Sequence, residues 1–133
     1  FNNLLLAALA VPVLFSACKK DDDHHKKDDS TPPTITINDP KQSHYDLGDT
    51  ISVNVVIKDQ HELHEAYCWF IAQPQQDTLW YLKRHSHSAT ITFESYYVAK
   101  DMPDEQKVDF VVFAENEAGK TATAKHSFEL HHH

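Results

Sequence analysis

Ile51-Ser52-Val53-Asn54-Val55-Val56-Ile57-Lys58 carries apolar side chains at 51, 53, 55 and 57 and polar ones at 52, 54 and 58. Successive side chains of an extended chain point to opposite faces. A period of two is therefore what a strand needs when one face meets a core and the other meets water. The pattern continues on both sides. Ile35 and Ile37 alternate with Thr34, Thr36 and Asn38, and residues 66–72 are apolar on both phases, as a central strand would be. Leu79 to Leu82, then Ala89, Ile91 and Phe93, extend the series. Val108, Phe110, Val112 and Ala114 share one face, and Ala122, Ala124, Phe128 and Leu130 end it. Turn chemistry separates these runs at Asn38-Asp39-Pro40, Leu47-Gly48-Asp49, Gln73-Pro74-Gln75 and Glu117-Ala118-Gly119-Lys120. Seven short strands spaced in this way make an all-β, antiparallel Greek-key sandwich over residues 34–130 the expected fold.

Trp69 on the third strand and the hairpin Ala114-Glu115-Asn116-Glu117-Ala118-Gly119-Lys120 resemble immunoglobulin-like and fibronectin-III-like modules. The resemblance is one of pattern over about 100 residues, without a diagnostic motif. It implies a chain order A-B-C-C′-E-F-G; no helix, internal repeat or phosphate loop is visible in the residues themselves.

The N-terminal part has a different texture. Residues 4–15, from Leu4 to Phe15, are apolar over a length typical of a secretory signal and too short for a spanning helix, which needs about 20 residues. Ser16 and Ala17 then precede Cys18, an order that resembles a lipobox. That resemblance implies a signal peptide at 1–17 and a diacylglyceryl group on Cys18; the alternative is a retained membrane helix. Residues 18–33 follow as a charged tether without core-forming side chains. Its opening, Cys18-Lys19-Lys20-Asp21-Asp22-Asp23, resembles the acidic export signal of Bacteroidota lipoproteins. The sandwich behind it resembles their small immunoglobulin-like domains of unknown function. The resemblance implies a lipid-anchored outer-membrane protein exposed at the cell surface, or otherwise facing the periplasm, with an accessory role beside an uptake system. The bland reading of the acidic run is a solvated spacer.

The net charge of −8 repels nucleic acid and anionic lipid, so neither is an expected partner of the domain. With Cys18 taken by lipid, the second cysteine has no disulfide partner. Cys68, in the apolar run Ala66-Tyr67-Cys68-Trp69-Phe70, reads as a small buried hydrophobe, with a reactive thiol as the alternative. No enzyme is expected. The sequence has no Gly-x-Ser-x-Gly elbow, and His61-Glu62-Leu63-His64 is one residue short of a His-Glu-x-x-His zinc helix.

Histidine is the compositional outlier: 11 of 133 residues, about four times an ordinary share. His131, His132 and His133 form a C-terminal run that is either a tag remnant or a native tail. In the expected topology the B–C, C′–E and F–G loops share one rim. They bring His61 and His64 with Glu62 and Glu65, then His85 and His87, then Glu117. Neutral imidazoles with a carboxylate suit Zn²⁺ or Cu²⁺, and no organic cofactor is expected. His85 and His87 are two apart, so an extended chain points both the same way, whereas the three-residue spacing of His61 and His64 suits a turn. The alternative is that these histidines are merely solvated. His24 and His25 lie on the tether, where nothing fixes a geometry. His44 falls in the A–B loop at the other end, and His126 reads as a hydrogen-bonded edge histidine.

A second binding surface competes with the rim. Val111 and Phe113 take the outward phase of strand F. On strand C either Tyr67, Trp69 and Ile71 or Cys68 and Phe70 look outward, and Trp80 and Tyr81 add to the same sheet. An exposed aromatic patch of this kind suits a glycan, an outer-membrane transporter or a second copy of the chain. Alternatively Tyr96, Tyr97 or the tether covers it.

Overall fold

A computed structural model describes residues 31–132 apart from Asp104. The signal segment, Cys18, the tether as far as Ser30 with His24 and His25, and His133 lie outside the described residues. The described chain is all-β. Its strands are β1 (Thr34–Asp39), β2 (His44–Asp46), β3 (Thr50–Lys58), β4 (Leu63–Gln73), β5 (Asp77–His85), β6 (Thr90–Val98), β7 (Gln106–Asn116) and β8 (Thr121–His131). They form two sheets, ordered β1-β3-β6 and β2-β8-β7-β4-β5, packed face to face as a sandwich.

The apolar phases read from the sequence are the phases that meet. Ile51, Val53, Val55 and Ile57 of β3 are buried, as are Val108, Phe110, Val112 and Ala114 of β7. Phe70 joins the layers: its ring lies 4.9 Å from that of Phe110 in its own sheet and 5.0 Å from that of Tyr97 in the other. Truncating a core aromatic of this kind costs about 3–5 kcal/mol. Cys68 is fully buried in the same cluster, and burial pushes its thiol up to about 12. It is the small hydrophobe of the structural reading, without the thiolate that reactivity needs.

The structure departs from the expected strands in three places. His44 lies in an eighth strand and not in a loop: β2 pairs in parallel with β8, His44 opposite Glu129 and Asp46 opposite His131. Three residues carry no readable alternation, so this strand left no periodic signal. β8 also runs on to His131, one residue past the expected edge.

Trp80 faces inward. It stands opposite Phe70, with ring centroids 5.3 Å apart, and packs on the core. Alternation from outward Tyr81 puts Trp80 and Leu82 inward, so the adjacent Trp80 and Tyr81 do not share the outer face, and the register shift between Phe70 and Ile71 brings Leu79 inward as well. Tyr81, opposite Trp69, does point outward and is 56% exposed.

On β4 the open choice falls to Tyr67, Trp69 and Ile71 outside, with Cys68 and Phe70 inside. Tyr96 and Tyr97 do not cover that face: both belong to β6, in the other sheet. Tyr97 packs against the core, and Tyr96 is 65% exposed.

Candidate metal centre

β4 begins with a bulge that decides where His64 points. Leu63 pairs with Asn116, Glu65 pairs with Glu115, and His64 is the extra residue between them. Leu63 and Ala66 are both buried although three positions separate them, so His64 and Glu65 both turn away from the core. Bulges commonly re-aim a side chain in this way. β5 ends at His85, beside the same end of β4 with Glu65 as its partner, and His87 follows in the connection to β6.

Three segments are stitched together here by main-chain hydrogen bonds. The Leu63 amide donates to the Ser88 carbonyl (2.9 Å), the Ser86 amide to the His64 carbonyl (3.1 Å), and the Glu117 amide to the Glu62 carbonyl (3.0 Å). The β7–β8 hairpin that carries Glu117 turns at Gly119, whose φ of +81° is costly for any side chain-bearing residue. Beneath the hairpin, buried Asn116 donates from Nδ2 to Asp59 Oδ1 (3.1 Å) and to the Thr31 carbonyl (3.2 Å). Its Oδ1 accepts from the Lys120 amide (2.8 Å). Asn116 thus ties the hairpin to the β3–β4 loop. Sequence reasoning missed it; the only signal was an amide placed at the end of an apolar strand.

On this frame the imidazoles of His64, His85 and His87 converge. One ligand atom from each lies within 4.8 Å of the others. The ring of His85 is 4.8 Å from that of His64 and 4.9 Å from that of His87, both edge to face. Tetrahedral ligands about 2.0–2.1 Å from a zinc ion stand about 3.3 Å from one another, so the donors of this group would have to close by up to about 1.5 Å around an ion.

Glu117 closes the group from the third segment. Its Oε1 accepts a hydrogen bond from His87 Nδ1 and lies 3.4 Å from His64 Nδ1. Partial desolvation pushes the Glu117 carboxyl up, but the hydrogen bonds from His87 and His64 outweigh it and hold the group below the usual carboxylate range. Glu62 joins Glu117 and His87 in an overlapping set of donors. A carboxylate that accepts Nδ1–H fixes the tautomer and leaves Nε2 as the free donor for a metal, which is how histidine ligands are commonly oriented. Glu117 can serve in that role or as an oxygen ligand.

Glu65 and His61 stand apart. Glu65 accepts from the Tyr67 hydroxyl (3.0 Å), pairs with Lys83 (3.3 Å) and comes only within 3.9 Å of His85 Nδ1. The Tyr67 and Lys83 hydrogen bonds hold its carboxyl below the usual range, so it is a partnered carboxylate at the edge of the cluster. His61 is not brought to the other imidazoles. It sits in the β3–β4 loop, where its amide donates to Asp59 Oδ2 (3.0 Å). His64 lies in a strand and His61 in the loop before it, and among the described residues no group of three metal-ligating donors includes His61, so the expected pair of His61 and His64 is not part of the cluster. His126, as expected, is hydrogen-bonded at the edge, from Nε2 to the Gln42 carbonyl (2.7 Å).

The alternative surface is continuous even without Trp80. Tyr67 and Trp69 stack at 5.4 Å with planes 2° apart, and Phe113 lies 6.1 Å from Tyr67. Val111 and Tyr81 flank Trp69 on neighbouring strands.

No family model matches the sequence, and no curated protein matches it. Among solved structures, the chain is similar to the sporulation control protein Spo0M from Bacillus subtilis, with a TM-score of 0.52 at 11% identity. That match covers 77% of this chain and 51% of Spo0M, so the chain spans about half of that protein's length. It also matches the superoxide reductase (neelaredoxin) from Ignicoccus hospitalis, with a TM-score of 0.47, 9% identity, and coverage of 75% and 80% of the two chains. At these identities the likeness is one of fold: a β-rich sandwich.

Proposed function

We propose that the mature protein is a lipid-anchored, non-catalytic module that captures a divalent transition ion, Zn²⁺ or Cu²⁺, through His64, His85 and His87, with Glu117 as orienting carboxylate or fourth ligand. The observation that carries this reading is the convergence of three imidazoles and one carboxylate from three separate segments, held by main-chain hydrogen bonds. Solvated histidines need no such frame. His61 and Glu65 leave the ligand set, and Glu62 remains as a flanking donor. The order Ser16-Ala17-Cys18 and the acidic run behind it support anchoring at the outer membrane, where such a module would serve an uptake system.

Isothermal titration of the mature chain with Zn²⁺ tests the reading. Uptake should be stoichiometric and should disappear from this pole when His85→Ala and His87→Ala are combined. Unchanged uptake in the double variant would end it.

The stacked Tyr67 and Trp69 with exposed Tyr81 support a second reading, in which the outer face of the five-stranded sheet holds a glycan by stacking or docks a transporter. That binding would be lost on Tyr81→Ala or Trp69→Ala and would ignore the histidines.

A further inference from the structure

The five-stranded sheet carries another group of metal-ligating side chains, at its opposite edge and opposite pole. Glu115 pairs with Thr121 at the rim end of β7 and β8, and Gln106 pairs with Leu130 at the far end, about 30 Å of strand away. There Glu129 and His131, two apart on β8, share the face turned away from buried Leu130. The edge strand β2 sets His44 directly beside Glu129.

The three donor atoms already form a ligand triangle. His44 Nδ1 lies 2.9 Å from His131 Nε2, His131 Nε2 lies 3.4 Å from Glu129 Oε2, and His44 Nδ1 lies 3.9 Å from Glu129 Oε2. A point about 2.0 Å from all three atoms exists, which matches Zn–N and Zn–O bond lengths. Two imidazoles and one carboxylate are a common three-ligand set that leaves a further position for water. Here that position faces solvent, because the side chains of His44 and Glu129 are 64% and 52% exposed.

The ligands are held from behind. The His131 carbonyl accepts from the Leu47 amide (2.8 Å), and the Glu129 amide donates to the Ser43 carbonyl (3.0 Å). Tyr45, next to His44, packs edge-on against Phe128 at 5.0 Å. Both strands therefore present their ligands in fixed register. His132 turns elsewhere, with Nε2 3.0 Å from the Met102 carbonyl, so the site is a product of strand pairing and not of a histidine run as such.

We infer that His44, Glu129 and His131 form a second, independent site for a divalent transition ion, which clips the edge strand β2 onto β8. The site stands whether or not the rim binds metal.

The test uses the mature chain carrying His85→Ala and His87→Ala, titrated with Zn²⁺ alone and followed by calorimetry and amide NMR. One equivalent should bind, with shifts centred on residues 43–47 and 128–131. Adding His44→Ala should weaken binding at least tenfold, and so should His44→Gln, which keeps a polar side chain of similar reach. Adding His132→Ala and His133→Ala should leave binding unchanged. No uptake by the starting variant, uptake indifferent to His44, or shifts absent from β2 and β8 would each overturn the proposal.

Discussion

The amide of Leu63 donates to the carbonyl of Ser88 across 2.9 Å, so the residue before His64 is bound to the residue after His87. The two segments that supply the imidazoles are thus one backbone unit before any ion arrives. A ligand set ordered in advance loses less conformational entropy on binding, which raises affinity without added contacts.

Leu63 is fully buried beneath this unit. Leu63→Ala should cost about 2–5 kcal/mol of stability, read from the urea midpoint, and should also weaken Zn²⁺ binding at the rim. Leu130→Ala, an equally buried leucine at the other pole, should cost a similar amount of stability and leave rim affinity alone. Equal effects of the two variants on rim affinity would mean that the Leu63 tie orders nothing there.

Among the described residues, Glu117 is the carboxylate hydrogen-bonded to both His64 and His87. Glu117→Gln keeps its shape but removes its charge, and should lower Zn²⁺ affinity about 10- to 100-fold with an unchanged circular dichroism spectrum. Glu65→Gln, at a carboxylate already occupied by Tyr67 and Lys83, should have little effect on the same titration.

Two events should separate on acidification. Metal binding requires neutral imidazoles, so Zn²⁺ affinity should fall as pH drops below about 6.5. Glu117 and Glu65 are both held below the usual carboxylate range. A depressed carboxyl stabilises the fold above its unfolded value and loses that contribution as pH falls through its lower folded value. The ion-free protein should therefore keep this part of its stability down to about pH 4.5, well after metal uptake has gone. Titrations with Zn²⁺ and urea melts from pH 4 to 8 would show one coincident transition if the two were the same event.

Burial holds the Cys68 thiol near 12, so it should resist iodoacetamide at pH 8 in the folded protein and react once the chain is unfolded in urea. Because its folded value lies above the unfolded one, Cys68 favours the fold fully below about pH 8.5 and loses that contribution as pH climbs toward its folded value. Rapid labelling under native conditions would place Cys68 at the surface.

The sandwich was legible because its signal is local: each long strand declares its inward face by alternation, and paired faces then follow from topology. His85 and His87 were legible for the same reason, as was their meeting with Glu117 at a shared pole. What alternation cannot report is a change of phase. The bulge at His64 leaves only a faint trace, two apolar residues, Leu63 and Ala66, three positions apart where strict alternation needs an even spacing. At Leu79 the irregularity between Phe70 and Ile71 likewise brings a second consecutive side chain inward, whereas Trp80 itself follows plain alternation from Tyr81. β2 was invisible because its order comes from pairing with residues of β8 that lie 85 positions away, so the His44, Glu129 and His131 triangle could be found only in three dimensions.

Trp80 and Tyr81 are adjacent, yet they should respond in opposite ways to truncation. Trp80 packs on Phe70 and the core, so Trp80→Ala should cost about 3 kcal/mol in a denaturant melt. Tyr81 projects from the outer face, so Tyr81→Ala should cost less than about 1 kcal/mol. That contrast makes Tyr81 the clean probe of the aromatic face. In a glycan array with the mature chain, loss of a bound glycan on Tyr81→Ala, at intact stability and intact Zn²⁺ uptake, would assign recognition to the sheet. Retention of every bound glycan would exclude Tyr81 from recognition and leave Trp69→Ala as the test of the stacked pair of Tyr67 and Trp69.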